Sequence, residues 1–194
     1  MGTPIPVQRL SANAQNAYRA HLLALPPEDV RLRFGAPMAA ERIAAYVGRI
    51  DFAADEIFGV FGDAMRLDGA AHLAFGDELA ELGVSVLPTA RGRGIGHALV
   101  ARAAEHARNR SVPRLFMHCL AENAATIRIA RSAGMEVVVD TGEADAHVAL
   151  PPMTPASLAS EALADRVALY DYALKSNVDA WRRVGIALAG GGGK

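Results

Sequence analysis

The sequence predicts an α/β (α+β) protein: a mixed, mostly antiparallel central sheet of about 6–7 strands flanked by helices, plus a long C-terminal helix. Three observations carry that prediction. Short apolar runs separated by turn residues fill positions 56–87. Helix-like and strand-like patterns then alternate as far as 151. Beyond Pro151-Pro152, apolar residues recur only at helical spacing.

The elements follow in order. "IPVQRL" (5–10) is a short strand. Ser11 stands where it can cap a helix over 12–25, in which Ala14, Ala17, Tyr18, His21, Leu22 and Leu25 fall near helical spacing. Pro26-Pro27 ends it, and Pro27 opens a further turn of helix, "PEDVRLRF" (27–34). "MAAERIAAYVGRI" (38–50) sets Ile43, Val47 and Ile50 on one helical face. "EIFGVFG" (56–62), "AMRLDGAAHLAFG" (64–76) and "ELAELGVSVL" (78–87) read as an antiparallel meander punctuated by Asp63, Asp68-Gly69, Gly76-Asp77 and Pro88. After a glycine-rich turn, "IGHALVARAAEHARNR" (95–110) is helical, with Ile95, Leu99, Ala103 and His106 or Ala107 on one face. "RLFMHCL" (114–120) is a strand, and "AENAATIRIARSAG" (121–134) a helix closed by Gly134. "MEVVVDTG" (135–142) and "DAHVALP" (145–151) form a hairpin.

Thr154 then caps a helix that begins with Pro155. Leu163, Val167, Tyr170, Leu174, Val178 and Trp181 recur at steps of 4, 3, 4, 4 and 3. They make one apolar stripe on a helix of roughly 28 residues, about 40 Å long. That stripe must pack on the domain, on a partner subunit, or on both. The expected organisation is a domain over 1–152, the helix over 153–185 and a flexible Gly-rich tail over 186–194.

Composition narrows the class. Apolar residues at 52% suffice for a sizeable core, and a net charge of −1 with scattered arginines gives no global field for nucleic acid. The single cysteine, Cys119, rules out an intrachain disulfide and fits a reducing compartment. No apolar run is long enough to span a membrane, and the N-terminal stretch lacks a signal-peptide layout, so a cytoplasmic location is expected. No His, Cys and carboxylate cluster has metal-ligand spacing, so no metal is expected.

The turn "RGRGIG" (91–96) joins a strand to a helix N-terminus. Free amides and the helix dipole there attract anions, and glycines let a phosphate approach. It is not a P-loop, because Gly-Lys-Ser/Thr is missing. It is not a dinucleotide fingerprint either, because the glycines run G-x-G-x-G after a meander. A phosphate cradle and a simple tight turn both remain.

The wider stretch "ELGVSVLPTARGRGIGHALVARAAEHAR" resembles the acyl-CoA-binding segment of the GNAT superfamily of N-acetyltransferases. The family's Arg/Gln-x-x-Gly-x-Gly/Ala is matched by Arg91-Gly92-Arg93-Gly94-Ile95-Gly96. "RLFMHCLAENAATIRIARSAGMEV" is similar to its fifth strand, Asn-led helix and closing Gly-hydrophobic pair, and the likeness covers about residues 5–150. "LPPEDVRLRFGAPMAAERIAAYV" resembles the helical pair of bacterial members related to protein-lysine acetyltransferases.

The resemblance implies acetyl-CoA as cosubstrate and the GNAT fold. The pyrophosphate would lie on Arg91, Gly92, Arg93, Gly94, Ile95, Gly96 and His97, and the pantetheine arm beside Val84, Val86 and Leu87. Asn123 would contact the pantetheine region or leaving group, or cap its helix. An amine would attack the thioester directly in a ternary complex, with Glu81 as candidate base and Glu78, His72 and His118 as alternatives. The Tyr that often protonates the CoA thiolate is replaced by Ala130. Cys119 reads as a small core residue rather than a nucleophile. Arg31, Arg33, Arg42 and Arg49 would make part of the acceptor wall basic and suit an anionic acceptor, or they form an ordinary charged helix face. The expected acceptor is a small-molecule amine or a protein lysine, and the C-terminal helix is expected to clamp the domain or to mediate a homodimer. The alternative is a non-catalytic acyl-CoA sensor or interaction module.

Overall fold

The computed structural model describes residues 4–76 and 78–190. The apolar runs of the middle region form strands because their side chains alternate between two buried layers. In β3 (Leu67–Phe75), Ala71 and Leu73 meet one core and Ala70 the other, and a register shift between Leu67 and Gly69 brings Leu67 to the side of Ala70. β3 pairs with β2 (Glu56–Phe61) and β4 (Ala80–Val86), and β1 (Gln8–Leu10) extends the meander beyond β2. With β5 (Arg114–Leu120), β6 (Glu136–Asp140) and β7 (Glu143–Ala149) the sheet runs β1-β2-β3-β4-β5-β7-β6. Every pairing is antiparallel except β4–β5. That pair is parallel because α4 (Ile95–Asn109) carries the chain back across the sheet.

Two helical layers follow. On one face α1 (Gln15–Leu23), α2 (Pro27–Phe34) and α3 (Ala40–Gly48) enclose Tyr18, Leu22, Val30, Ile43 and Val47. On the other, α4 and α5 (Ala124–Ser132) pack Leu99, Val100 and Ala130 against the strands. The mixed, mostly antiparallel sheet with flanking helices is the architecture expected.

Some local expectations change. Asp68-Gly69 is not a turn but lies inside β3, where a Cβ at Gly69 would stand 2.5 Å from Ile95. The missing side chain there lets α4 pack closely on the sheet. Ser11 makes no side-chain cap, because a single 3₁₀ turn (Ala12–Ala14) precedes α1. The last hairpin turns earlier than expected, at Thr141 and Gly142, both at positive φ and flanked by the pair Asp140–Glu143. Two such residues in succession match the twist of the strands they join.

The final helix, α6 (Pro155–Gly190), runs past the expected end at 185. Of the glycine tail, residues 191–194 lie outside the described residues. Thr154 caps α6 as expected: its Oγ1 accepts from the Ser157 amide at 3.1 Å, while Ser157 Oγ accepts from the Thr154 amide at 3.0 Å. α6 docks through its polar face. Arg102, only 5% exposed, donates to Glu161 (3.0 Å) and Asp165 (2.5 Å). His106 and Asn109 also donate to Glu161, and Lys175 Nζ donates to the Phe61 carbonyl. The predicted apolar stripe points the other way: Leu163 is 63%, Tyr170 68% and Trp181 76% exposed. No helix among the described residues is long and apolar enough to cross a membrane.

Burial alone would raise the Glu161 carboxyl, but hydrogen bonds from Asn109, His106 and Arg102 outweigh it and hold the group at about 2. A folded value below the ordinary 4.5 means that the ionised form favours docking. That contribution is fully present above about pH 4.5 and is lost as the pH falls toward 2. Amide exchange of α6, followed against pH, should therefore accelerate over that window, and Glu161→Gln should remove the acid dependence.

Candidate active site

Only two rungs join β4 to β5, Ala80–Leu115 and Glu81–Phe116. From Leu82 onward β4 keeps β3 as its partner, through Val86–Gly69, while β5 keeps β7. The strands part, and the edge of β4 facing β5 is left open. A groove of about 500 Å³ follows that opening to the glycine turn.

The turn has a geometry that can receive an anion. Gly92 and Gly94 take positive φ (+75° and +83°), and Gly94 sits at the N-cap of α4. The first amides of α4 therefore face the groove without intrahelical partners. Gly96 serves differently: a Cβ there would stand 2.6 Å from Ile129, so α4 and α5 could not meet as they do. Arg91 lies along the groove, its Nε toward the Val86 carbonyl (3.4 Å) and its Nη2 paired with Asp29 at 2.6 Å. Asp29 lies on α2, far from Arg91 in the chain, so local spacing does not announce the pairing.

The groove gathers Val84, Val86, Arg91, Gly92, Gly94, Ile95, Gly96, His97 and Asn123 from the predicted set. It does not gather the rest. Leu87 is buried in the α1–α3 core. Arg93 turns toward Asp68, 3.5 Å away. Asn123, 8% exposed, accepts from the Thr126 amide (3.1 Å) and donates to the Leu32 carbonyl (3.3 Å). It caps α5, ties it to α2 and still borders the groove.

Glu81, exposed, occupies the last paired rung, on the same face of β4 as Gly83 and Ser85. His118 is exposed on β5 and held by Asp145 at 2.8 Å. Glu78 is paired with Arg114 at the surface. Cys119 is buried, and burial pushes its thiol up, so it stays protonated. Ala130 is buried in the core. Among the described residues no cluster of His, Cys, Asp and Glu is placed to hold a metal ion.

Behind β4 lies a polar cluster that sequence spacing alone did not reveal. Burial holds His21 and His72 below the usual histidine value and pushes the Tyr18 phenol up. His21 Nδ1 donates to the Leu67 carbonyl (2.8 Å), so its Nε2 accepts from Ser85 Oγ (2.8 Å). His72 Nε2 faces Asp55 at 3.2 Å, so its Nδ1 accepts from the Tyr46 hydroxyl. The Arg33 guanidinium lies flat on Gly83. These residues come from α1, α2, α3, β3 and β4, and no local motif announces their meeting.

The comparisons agree with this fold. A family model described as Acetyltransferase (GNAT) family matches residues 28–135. No curated protein matches by sequence. Among solved structures, the GNAT domain of S. lividans PAT is similar at 19% identity and TM-score 0.64, covering 74% of this chain and 89% of that one. A phosphinothricin acetyltransferase from Sinorhizobium meliloti, solved in complex with AcCoA, is similar at 16% and 0.62, covering 79% and 95%. A ribosomal-protein-alanine N-acetyltransferase from Brucella melitensis is similar at 22% and 0.58, covering 74% and 99%.

The seat itself can be tested without a ligand. A Cβ at Gly94 meets only ordinary contact, 3.5 Å from Ile5, so the cost of a side chain is conformational. Gly94→Ala should lower the unfolding free energy by roughly 1–2 kcal/mol in urea titrations.

Proposed function

Since the chain belongs to the GNAT acetyltransferase family and is thereby an acyl-CoA N-acyltransferase, we propose that it moves an acetyl group from acetyl-CoA to a primary amine by direct attack. The observation that carries this reading is the continuity of the parted strands with the seat at α4. The seat suits a pyrophosphate, on the amides of 94–97 with Arg91 alongside. Val84 and Val86 line the path of the pantetheine arm. Asn123 keeps the far wall in place.

Chemistry asks three things of the chain. The amine must be neutral, and Glu81, on the last rung before the strands part, can take its proton. The carbonyl oxygen gains charge as the C–N bond forms, and unpaired amides of β4 beyond Leu82 can donate to it. The C–S bond then breaks. Because Ala130 offers no proton donor, the thiolate leaves as such and takes its proton from water. The acceptor is a small-molecule amine or a protein lysine. The buried, unpaired Cys119 supports a cytoplasmic site of action.

Calorimetry should show acetyl-CoA binding, and an amine panel should release CoA. Glu81→Gln should lower kcat by roughly 10²–10⁴-fold with acetyl-CoA affinity unchanged. Binding without turnover against small amines and protein lysines would favour a second reading, an acyl-CoA sensor, which the alanine at 130 motivates.

The same reading includes a homodimer. The stripe on α6 has the 3- and 4-residue steps of a helix–helix seam and faces away from the domain. Its six residues are 45–76% exposed, a continuous apolar face that a second copy can cover. Val167 continues it into an apolar-walled depression between α4 and α6. Light scattering should give twice 20.4 kDa. Leu174→Glu with Tyr170→Glu should halve that mass while acetyl-CoA binding persists. A monomeric parent chain would refute the dimer.

A further inference from the structure

We propose that Arg33 is an acceptor-specificity residue: it holds a carboxylate of the incoming amine, so the acceptor is an amino acid or a close analogue. The inference rests on the acyl-transfer reading above and names its substrate class.

The cation's place is the first argument. A Cβ at Gly83 would stand 2.0, 2.1 and 2.4 Å from Arg33 Nη2, Cζ and Nη1. The guanidinium therefore fills the side-chain space of a residue just past the last β4–β5 rung. It also borders the groove. Val86, three residues on, is the β4 residue that packs near Gly96 of the anion seat. At 3.3 Å per residue, Arg33 thus lies about 10 Å back along β4 from that seat. Its charge sits at the acyl end of the groove, not the phosphate end.

The second argument is its lack of an anion. Arg31 is taken by Glu28 and Glu122, and Arg91 by Asp29. Arg42 and Arg49 are exposed on and after α3. Among the described residues no carboxylate lies within ion-pair distance of Arg33, although it is half-buried. Its neighbours are the Phe34 ring, the Tyr18 phenol, and His21 and His72, which burial disposes to be neutral. Glu81, two residues back along β4, and Asp55, paired with His72, do not come within ion-pair distance of it, so this half-buried cation is left for an incoming anion to complete. The planar fork of a guanidinium fits a carboxylate with two parallel hydrogen bonds.

The third argument is polarity. Glu81 and Gly83 share a face of β4, about 7 Å apart. A carboxylate on Arg33 thus leaves the amine of a short zwitterion on the Glu81 side. Deprotonation there and capture of the acid end by Arg33 are compatible in one small molecule.

The experiment compares α-amino acids with the amines left when their carboxylate is removed, together with polyamines and a lysine peptide. In the parent protein, kcat/KM should favour a carboxylate-bearing acceptor by roughly 10²-fold over its decarboxylated partner. Arg33→Gln should erase that preference through KM, with acetyl-CoA affinity unchanged, and Arg33→Lys should restore part of it. If Arg33→Gln does not fold, Arg33→Lys and the parent panel still decide. Equal or better turnover of amines lacking a carboxylate overturns the inference but leaves acyl transfer standing. So does a preference that survives Arg33→Gln. Acetyl-CoA binding with no carboxylate-bearing acceptor turned over overturns it as well. Failure of acetyl-CoA to bind overturns the acyl-transfer reading instead.

Discussion

Two hydrogen-bonded rungs between β4 and β5 hold the halves of the sheet together at one end and let them part at the other. β4 stays with β3 and β5 with β7, so each strand leaves its partner without losing the whole of its ladder. An open strand edge costs free energy wherever its backbone groups go unpaired and dry. Here the edge lines a groove, where water or a ligand can complete it. The glycine turn lies at the far end because α4 must start from the end of β4 to carry the chain over to β5. Parted strands and free helix amides thus follow from a single crossover, and Arg33 reaches Gly83 from α2 where the strands begin to part.

Much of this was legible in the sequence because spacing reports which side of an element is buried. Ile95, Leu99 and Ala103 were read onto one face of a helix and are buried together. The turn that opens α4 was legible because glycines at positive φ leave a mark in the sequence. What spacing does not report is register between distant segments. Leu87 continues the strand that lines the groove, yet it turns into the α1–α3 core. Arg93 belongs to the same hexapeptide as Arg91, but Asp68 draws it elsewhere. Ser85 gained a partner in His21, and Arg91 one in Asp29, through packing of α1 and α2 that no local pattern encodes.

α6 shows the same limit in reverse. Its apolar residues form one stripe, as their spacing dictates, but helix periodicity says nothing about which face meets the domain. Arg102, nearly buried on α4, decides it. A guanidinium in that position demands carboxylates, and Glu161 and Asp165 supply them from the polar face of α6. Such a network contributes modestly to net stability, but breaking half of it leaves a buried charge alone. It therefore fixes the rotation of the helix more firmly than it fixes its affinity.

The pairing of Arg91 with Asp29 has a consequence for turnover. On the acyl-CoA reading, substrate and product carry the same pyrophosphate, so whatever tightens the hold on one tightens it on the other. A carboxylate already seated on the arginine must be displaced or share it, and it repels a phosphate close by. The tie weakens the grip on incoming and departing CoA alike. A protein that must empty this groove once per cycle gains from a cradle that grips less than it could, because the step most easily slowed by a strong phosphate seat is the exit of the spent carrier.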